Sequence, residues 1–306
     1  MKKCIVIYNP NSGKGKVKGF IINIVKLLNK YDYEAEVIST KYKGHAISIV
    51  KELDNVDLVM SFGGDGTFNE VMRGNFLRKE KLLLAHIPVG TTNDVGAMFG
   101  YGKNILKNVE DTLKGEVKKM DICTINKVPF IYVAGFGKYM DISYDTPTRV
   151  KKKLGYFAYL KEGVKTFFSK TKLYDVTYNV NGEEYRGLFS LIIISSANHI
   201  AGVNNIYKDV KLDDDRFEVL FCTIKKKKDL LRSLYFLTKY DFSNVPGLYF
   251  YRTNKLKIKI NNRDKKSFGI DGEKLEDDSD TFEIVNVPGV KVLVPKKNIK
   301  KLFVNS

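Results

Sequence analysis

The sequence predicts an α/β domain followed by an all-β sandwich domain. Three observations carry this. Over roughly the first 120 residues, short apolar strands alternate with amphipathic helices, the pattern of a mostly parallel sheet covered by helices. Beyond that point the chain reads as strands separated by turn signals, with few helices. A length of 306 residues, 43% of them hydrophobic, is enough for two separate cores.

In chain order, residues 3–8 read as a buried strand, 9–16 as a polar glycine-bearing loop, and 17–28 as a helix with Phe20, Ile21, Ile24, Val25 and Leu28 at helical spacing. A second strand at 34–39 precedes a helix at 44–53. A third apolar strand, 58–62, ends at Gly63-Gly64; a helix at 68–76 and a strand at 82–87 follow. Later strands are expected at 122–125, 130–134, 173–180, 184–188, 190–196, 217–223, 256–260 and 290–294, with helices at 156–168 and 228–240. The domains are accordingly 1–121 and 122–294, with a basic tail of about 295–306 expected back on the first. There are no repeats and no low-complexity segment.

Composition narrows the function classes. No stretch approaches the roughly 20 apolar residues of a membrane helix. The basic, then apolar, start is too short for a signal peptide and runs into Asn9-Pro10-Asn11, so it reads as the first strand. Cys4, Cys123 and Cys222 are far apart, which argues against a disulfide framework or zinc site and favours a reducing cytoplasm. His45, His86 and His199 lack metal-ligand spacing and read as packing or surface residues. Lys and Arg total 52 against 35 Asp and Glu, a net charge of +17, partly clustered at Lys151-Lys152-Lys153, at 225–228, and at Lys296, Lys297, Lys300 and Lys301. Such a balance fits an anionic membrane face or phosphate-bearing substrates, or simply solvated lysine; no recognition-helix or RNA-binding signature supports nucleic acid.

Three glycine-bearing loops, each just after a strand, carry the chemistry. Gly63-Gly64-Asp65-Gly66-Thr67-Phe68-Asn69-Glu70 opens a helix, where backbone N–H groups and the helix dipole favour phosphate and missing Cβ atoms let it approach. Asp65 is positioned to hold Mg²⁺ directly or through water. Gly90-Thr91-Thr92-Asn93-Asp94 can bind phosphate or ribose oxygens, or merely cap the next helix. Asn9-Pro10-Asn11-Ser12-Gly13-Lys14-Gly15-Lys16 does not fit the Walker register but offers Asn9, Ser12 and main-chain amides as donors. Further on, Asp271-Gly272 reads either as a two-residue hairpin turn or as a carboxylate placed for catalysis.

In order and spacing these motifs resemble the diacylglycerol-kinase catalytic domain, and the whole chain resembles the bacterial soluble lipid kinases of that family. The resemblance implies a nucleotide domain similar to those of NAD kinase and phosphofructokinase, then a β-sandwich. It implies ATP contacts at Asn9, Pro10, Asn11, Ser12, Gly13, Thr40, Gly63, Gly64, Asp65, Gly66, Thr67, Phe68, Asn69 and Thr91. Gly269-Ile270-Asp271-Gly272-Glu273 matches the family's Asp-Gly-Glu segment, which makes Asp271 the expected general base. Leu212-Asp213-Asp214-Asp215-Arg216 resembles its Asp-Asp-Gly segment, implying a structural Mg²⁺ on Asp214 and the carbonyls of Lys211 and Arg216. Asp215 stands where the family carries glycine, and Ala201-Gly202-Val203 where it carries a glycine run.

The expected activity is transfer of the γ-phosphate of ATP to a hydroxyl of diacylglycerol or a related lipid, giving a phosphatidic-acid-type product. The expected location is cytoplasmic, peripheral to the inner membrane face, with a homodimer kept open. NAD kinase or another small-molecule kinase is the alternative, since the Gly-Gly-Asp-Gly segment is shared. A non-enzymatic basic module binding membrane or nucleic acid is a third reading, and it would need neither Asp65 nor Asp271.

Overall fold

The computed structural model describes residues 1–90, 93–137, 171–196, 199–200, 203–204, 210–223, 245–261 and 267–304. The helices expected at 156–168 and 228–240 lie outside the described residues, as do Thr91, two of the lysine clusters and Ala201-Gly202. The chain divides into two compact units. One comprises Met1–Ile122, Lys211–Asp214 and Val287–Ser306, the other Cys123–Val210 and Asp215–Asn286. Residues 211–214 and 287–294, expected in the second domain, therefore belong to the first.

The first unit begins with β1 (Lys2–Tyr8), a 3-10 helix (Ser12–Phe20) and α1 (Ile21–Lys30). A single helix over 17–28 was the expectation. Gly13 and Gly15 take left-handed φ values at its start, and regular α-helix sets in only at Ile21. Then come β2 (Tyr33–Ser39), α2 (His45–Glu52), β3 (Leu58–Gly63), α3 (Asp65–Leu77), β4 (Leu84–Pro88), α4 (Asp94–Met98) and α5 (Ile105–Leu113). The strands are parallel in the order β2-β1-β3-β4. β3 is buried along its whole length, as expected of a strand covered on both faces. Cys4, Val6, Leu58, Met60, Phe62, Ala85 and Ile87 form the sheet side of this core, against Ile24 and Leu28 of α1 and Val109 of α5.

The second unit is a sandwich. β5 (Glu116–Ile125) leads into it and turns through Asn126 and Lys127, both at positive φ, to β6 (Val128–Phe130). After β7 (Val133–Gly137) come β8 (Tyr174–Val180), β9 (Glu183–Phe189), β10 (Leu191–Ser195), and the short pair β11 (His199–Ile200) and β12 (Val203–Asn204). β13 (Phe217–Cys222), β14 (Leu248–Thr253), β15 (Lys255–Ile260), β16 (Gly269–Ile270), β17 (Glu273–Lys274) and β18 (Thr281–Val294) complete it. One sheet pairs the start of β18 with β15, β8 and β9; the other runs β14-β13-β10-β7-β16-β17. Alternation along β8 buries Tyr174, Val176, Tyr178 and Val180, and along β15 Leu256, Ile258 and Ile260. They pack on Phe136, Ile192, Ile194, Phe217, Val219 and Phe221 of the facing sheet.

Candidate functional site

In the first unit, three strand-end loops meet at the carboxyl edge of the parallel sheet. β1 leaves from the middle of the order, with β2 on one side and β3 on the other, so the connections diverge between β1 and β3, the point at which open α/β sheets form ligand crevices. The loop after β1 is fixed by its own polar groups. The Asn9 N–H donates to the Phe62 carbonyl at 3.0 Å, and the Asn9 side-chain oxygen accepts the Asn11 N–H at 2.9 Å. The Ser12 N–H donates to the Asn9 carbonyl at 3.1 Å. Gly13 follows at φ 55°, where a Cβ would collide with the Val89 carbonyl oxygen. Thr40, just past β2, donates its N–H to the Tyr8 carbonyl at 2.9 Å and so stands beside this loop.

The loops after β3 and β4 are pinched together. Val89 donates its N–H to the Gly63 carbonyl at 2.7 Å, and a Cβ on Gly90 would lie 2.5 Å from the Cα of Gly64. Only a pair of glycines allows the backbones this close. A Cβ on Gly66, one residue into α3, would meet nothing within 4 Å. The helix is 13 residues long, so at this one position its first turn lies open with the helix dipole behind it. Asn93 takes φ 55° and donates its side-chain amide to the Gly90 carbonyl at 2.9 Å, closing the second loop.

Several expected ligand groups face elsewhere. The Asp65 carboxylate accepts the N–H groups of Asp94 and Val95, at 3.0 and 3.1 Å, so it caps α4 and ties the two loops together. Phe68 is 1% exposed and stacks on His86 with centroids 4.8 Å apart, and its N–H donates to Gly64; its side chain belongs to the core, not to a ligand surface. Thr67 and Asn69 are buried as well, Thr67 directly against Gly63. Glu70 reaches to another element: its carboxylate accepts the Gly44 and Ala46 N–H groups at 2.8 and 3.2 Å and caps α2. What these residues leave for a ligand is main chain. His86 is fully buried with Nδ1 3.0 Å from Ser61 Oγ, and burial pushes its imidazole down to about 3, so it is neutral.

In the second unit, Asp271 and Gly272 form the two-residue turn between β16 and β17, with φ values of 48° and 83°. Asp271 forms the turn while its side chain points inward. It is 6% exposed and accepts three successive main-chain N–H groups: Ile131 on Oδ2 at 2.6 Å, and Tyr132 and Val133 on Oδ1, both at 3.1 Å. The Asp271 N–H in turn donates to the Val133 carbonyl at 2.8 Å. Oδ1 thus accepts two of the N–H groups and Oδ2 the third.

The 211–216 segment crosses from the first unit into the second. The Lys211 ammonium donates to the carbonyls of Lys300, Lys301 and Phe303, closing the last helix, Ile299–Leu302. Asp213 accepts the Val304 N–H at 2.6 Å, and Asp215 accepts the Asn286 side-chain amide at 2.9 Å. Asp215 takes φ 60°, a conformation that glycine adopts freely and that aspartate tolerates better than most residues. Among the described residues no group of three His, Cys, Asp or Glu side chains could hold a metal ion, so any cation here would rest largely on main-chain oxygens. No helix among them is long and apolar enough to cross a membrane.

Comparison with known proteins agrees with this arrangement. Residues 3–125 match the family model of the diacylglycerol kinase catalytic domain. The chain is 28% identical over 276 residues to the diacylglycerol kinase of Bacillus subtilis (strain 168), covering 89% of this chain and 90% of that one. It is 27% identical over 274 residues to the diacylglycerol kinase of Staphylococcus saprophyticus, covering 89% of each. Two crystal structures from Bacillus anthracis str. Sterne share the fold. One, of a protein provisionally described as a diacylglycerol kinase, has a TM-score of 0.80 at 24% identity and covers 96% of this chain and 95% of that one. The other, of a diacylglycerol kinase, has a TM-score of 0.73 at 22% identity and covers 96% and 97%.

The chain is thus a lipid-kinase-type enzyme built as an α/β domain and a β-sandwich. Over nearly its full length it is similar to the bacterial diacylglycerol kinases.

Proposed function

We propose that the protein transfers the γ-phosphate of ATP to the free hydroxyl of diacylglycerol or a closely related lipid, giving phosphatidic acid. The observation that carries this reading is the glycine pinch of Gly64 and Gly90 beside the open Gly66 position at the start of α3, a main-chain cradle suited to phosphate. Asn9, Ser12, Gly13 and Thr40 are proposed to border the nucleotide, and Gly63, Gly64, Asp65, Gly66, Thr67 and Thr91 to supply main-chain or hydroxyl donors. The open space over Gly66 fits a phosphate group. Asp65 serves the site by holding its two loops together.

The attacking lipid hydroxyl bonds to the γ-phosphorus while the bond to the ADP oxygen breaks; its proton passes to the Asp271 carboxylate. Most of the acceleration comes from positioning and charge neutralisation, with the base adding roughly 10²- to 10⁴-fold. Mg²⁺, when bound with the nucleotide, would neutralise phosphate charge. A structural Mg²⁺ is proposed on Asp214 and the carbonyls of Lys211 and Arg216, in a loop that Asp215 keeps in the conformation a glycine would take. The lysine clusters are proposed to hold the enzyme on the anionic cytoplasmic leaflet, at about 1 kcal/mol per basic residue near the surface.

Labelled ATP incubated with a lipid panel and, separately, with NAD tests the reading. Labelled phosphatidic acid from diacylglycerol is the expected product; label on NAD alone would move the protein to the small-molecule branch. Vesicle turnover should fall as salt rises, and salt-independent vesicle binding would remove the lysine argument. A rise in melting temperature with Mg²⁺ that Asp214→Asn abolishes would support the structural cation.

A further inference from the structure

We propose that Ser195 and Ser196 are positioning residues for Asp271, acting through two shared peptide groups. Ser196 Oγ donates to the Ile131 carbonyl at 2.8 Å, and the N–H of that same peptide, on Tyr132, donates to Asp271 Oδ1. Ser195 Oγ donates to the Tyr132 carbonyl at 2.8 Å, and the N–H of that peptide, on Val133, donates to the same oxygen. Each peptide is therefore held at both ends, by a hydroxyl on its oxygen and by the carboxylate on its nitrogen.

Side chains of neighbouring strand residues point to opposite faces. These two converge on one segment because β10 ends at Ser195, which pairs with Val133 in the ladder, and Ser196 lies just beyond it. Both serines are buried, at 0% and 2% exposure, so their hydroxyls have little water to turn toward. A donor on a peptide oxygen polarises the amide and strengthens its N–H as a donor. The serines thus fix where Oδ1 sits, and through the rigid carboxylate where Oδ2 points. A shift of one ångström at a reacting group can cost about 100-fold in rate, so a small loss of registration is measurable.

This inference rests on the reading of Asp271 as the base, and the experiment separates the two. Ser195→Ala, Ser196→Ala, the double variant, Ser196→Thr and Asp271→Asn are compared in the full-length enzyme for kcat, for the KM of ATP on diacylglycerol vesicles, and for melting temperature. Each alanine is expected to lower kcat about fivefold, the worth of one ordinary hydrogen bond, and the pair more, with the KM of ATP within about twofold of the parent. Ser196→Thr, which keeps the hydroxyl and adds bulk, should retain kcat better than Ser196→Ala. If the serines only fill space, alanine will be tolerated better than threonine and kcat will not separate from KM; that result overturns the proposal. Loss of turnover in Asp271→Asn with a normal folded double serine variant overturns the positioning role alone. Parental turnover in Asp271→Asn overturns both readings. Should the double variant not fold, the contrast between alanine and threonine at position 196 decides.

Discussion

The two functional regions are built on opposite principles. Around Gly64 and Gly90 the first unit removes side chains, so that two backbones nearly touch and main chain forms the proposed binding surface. Around Asp271 the second unit surrounds one carboxylate with three N–H donors and leaves it almost no freedom. The first region is specified by steric absence and tolerates no added atom; the second is specified by electrostatic presence and tolerates no lost donor. Binding and chemistry should therefore fail separately, in different kinetic constants.

The largest expected effect comes from Asp271→Asn. It suits the left-handed turn but removes the proposed proton acceptor and sets an amide nitrogen against a main-chain N–H, and kcat should fall by about 10³, within the usual range for a general base. The KM for ATP should stay within about twofold, as steady-state kinetics on vesicles will show. Gly90→Ala tests the other region. Its Cβ would sit 2.5 Å from the Gly64 Cα, so the pinch must open, and the KM for ATP should rise about 10- to 100-fold while Asp271 is untouched. A variant that loses kcat instead would break the division between the regions.

Stability effects are smaller and local to the first unit. His86 is buried neutral, with its imidazole pushed down to about 3 by burial. The unfolded chain takes up a proton near pH 6.5 and the native protein does not, so stability is full above that pH. It falls by about 1.4 kcal/mol per pH unit as the pH drops toward 3. In urea melts at pH 7 and 5.5, His86→Phe, which keeps a ring against Phe68, should lose that part of the slope. Glu70→Gln weakens the cap on α2 and should cost about 1 kcal/mol with little change in kcat.

Much of this was legible in the sequence. The strand at 256–260 was expected, and glycine-bearing stretches just after strands marked all three loops of the first unit. Hydrogen bonds between distant parts of the chain were not legible. Asp65 reads as a group that holds Mg²⁺ directly or through water; that its carboxylate also accepts the Asp94 and Val95 amides, 29 and 30 residues away, no local pattern reveals. Phe68 lies inside a ligand motif yet faces the core, since a helix turns successive residues by about 100° and only part of a motif can face the ligand. Ser195 and Ser196 carry no motif at all. Their role depends on the pairing of β10 with β7, which no local pattern encodes.

The segment Val287–Ser306 belongs to the first unit, and its Val292 pairs with Leu84 on β4. During synthesis that pairing must wait for the whole second unit to be made. At about 5–20 residues per second this is a delay of roughly 10–40 s, during which β4 lacks a neighbour on that side. A nascent or truncated first unit therefore presents an open parallel edge, the kind of surface that recruits other strands. In cells short of chaperones, aggregation before release from the ribosome, more than loss of the finished enzyme, is the expected cost of this arrangement of the chain.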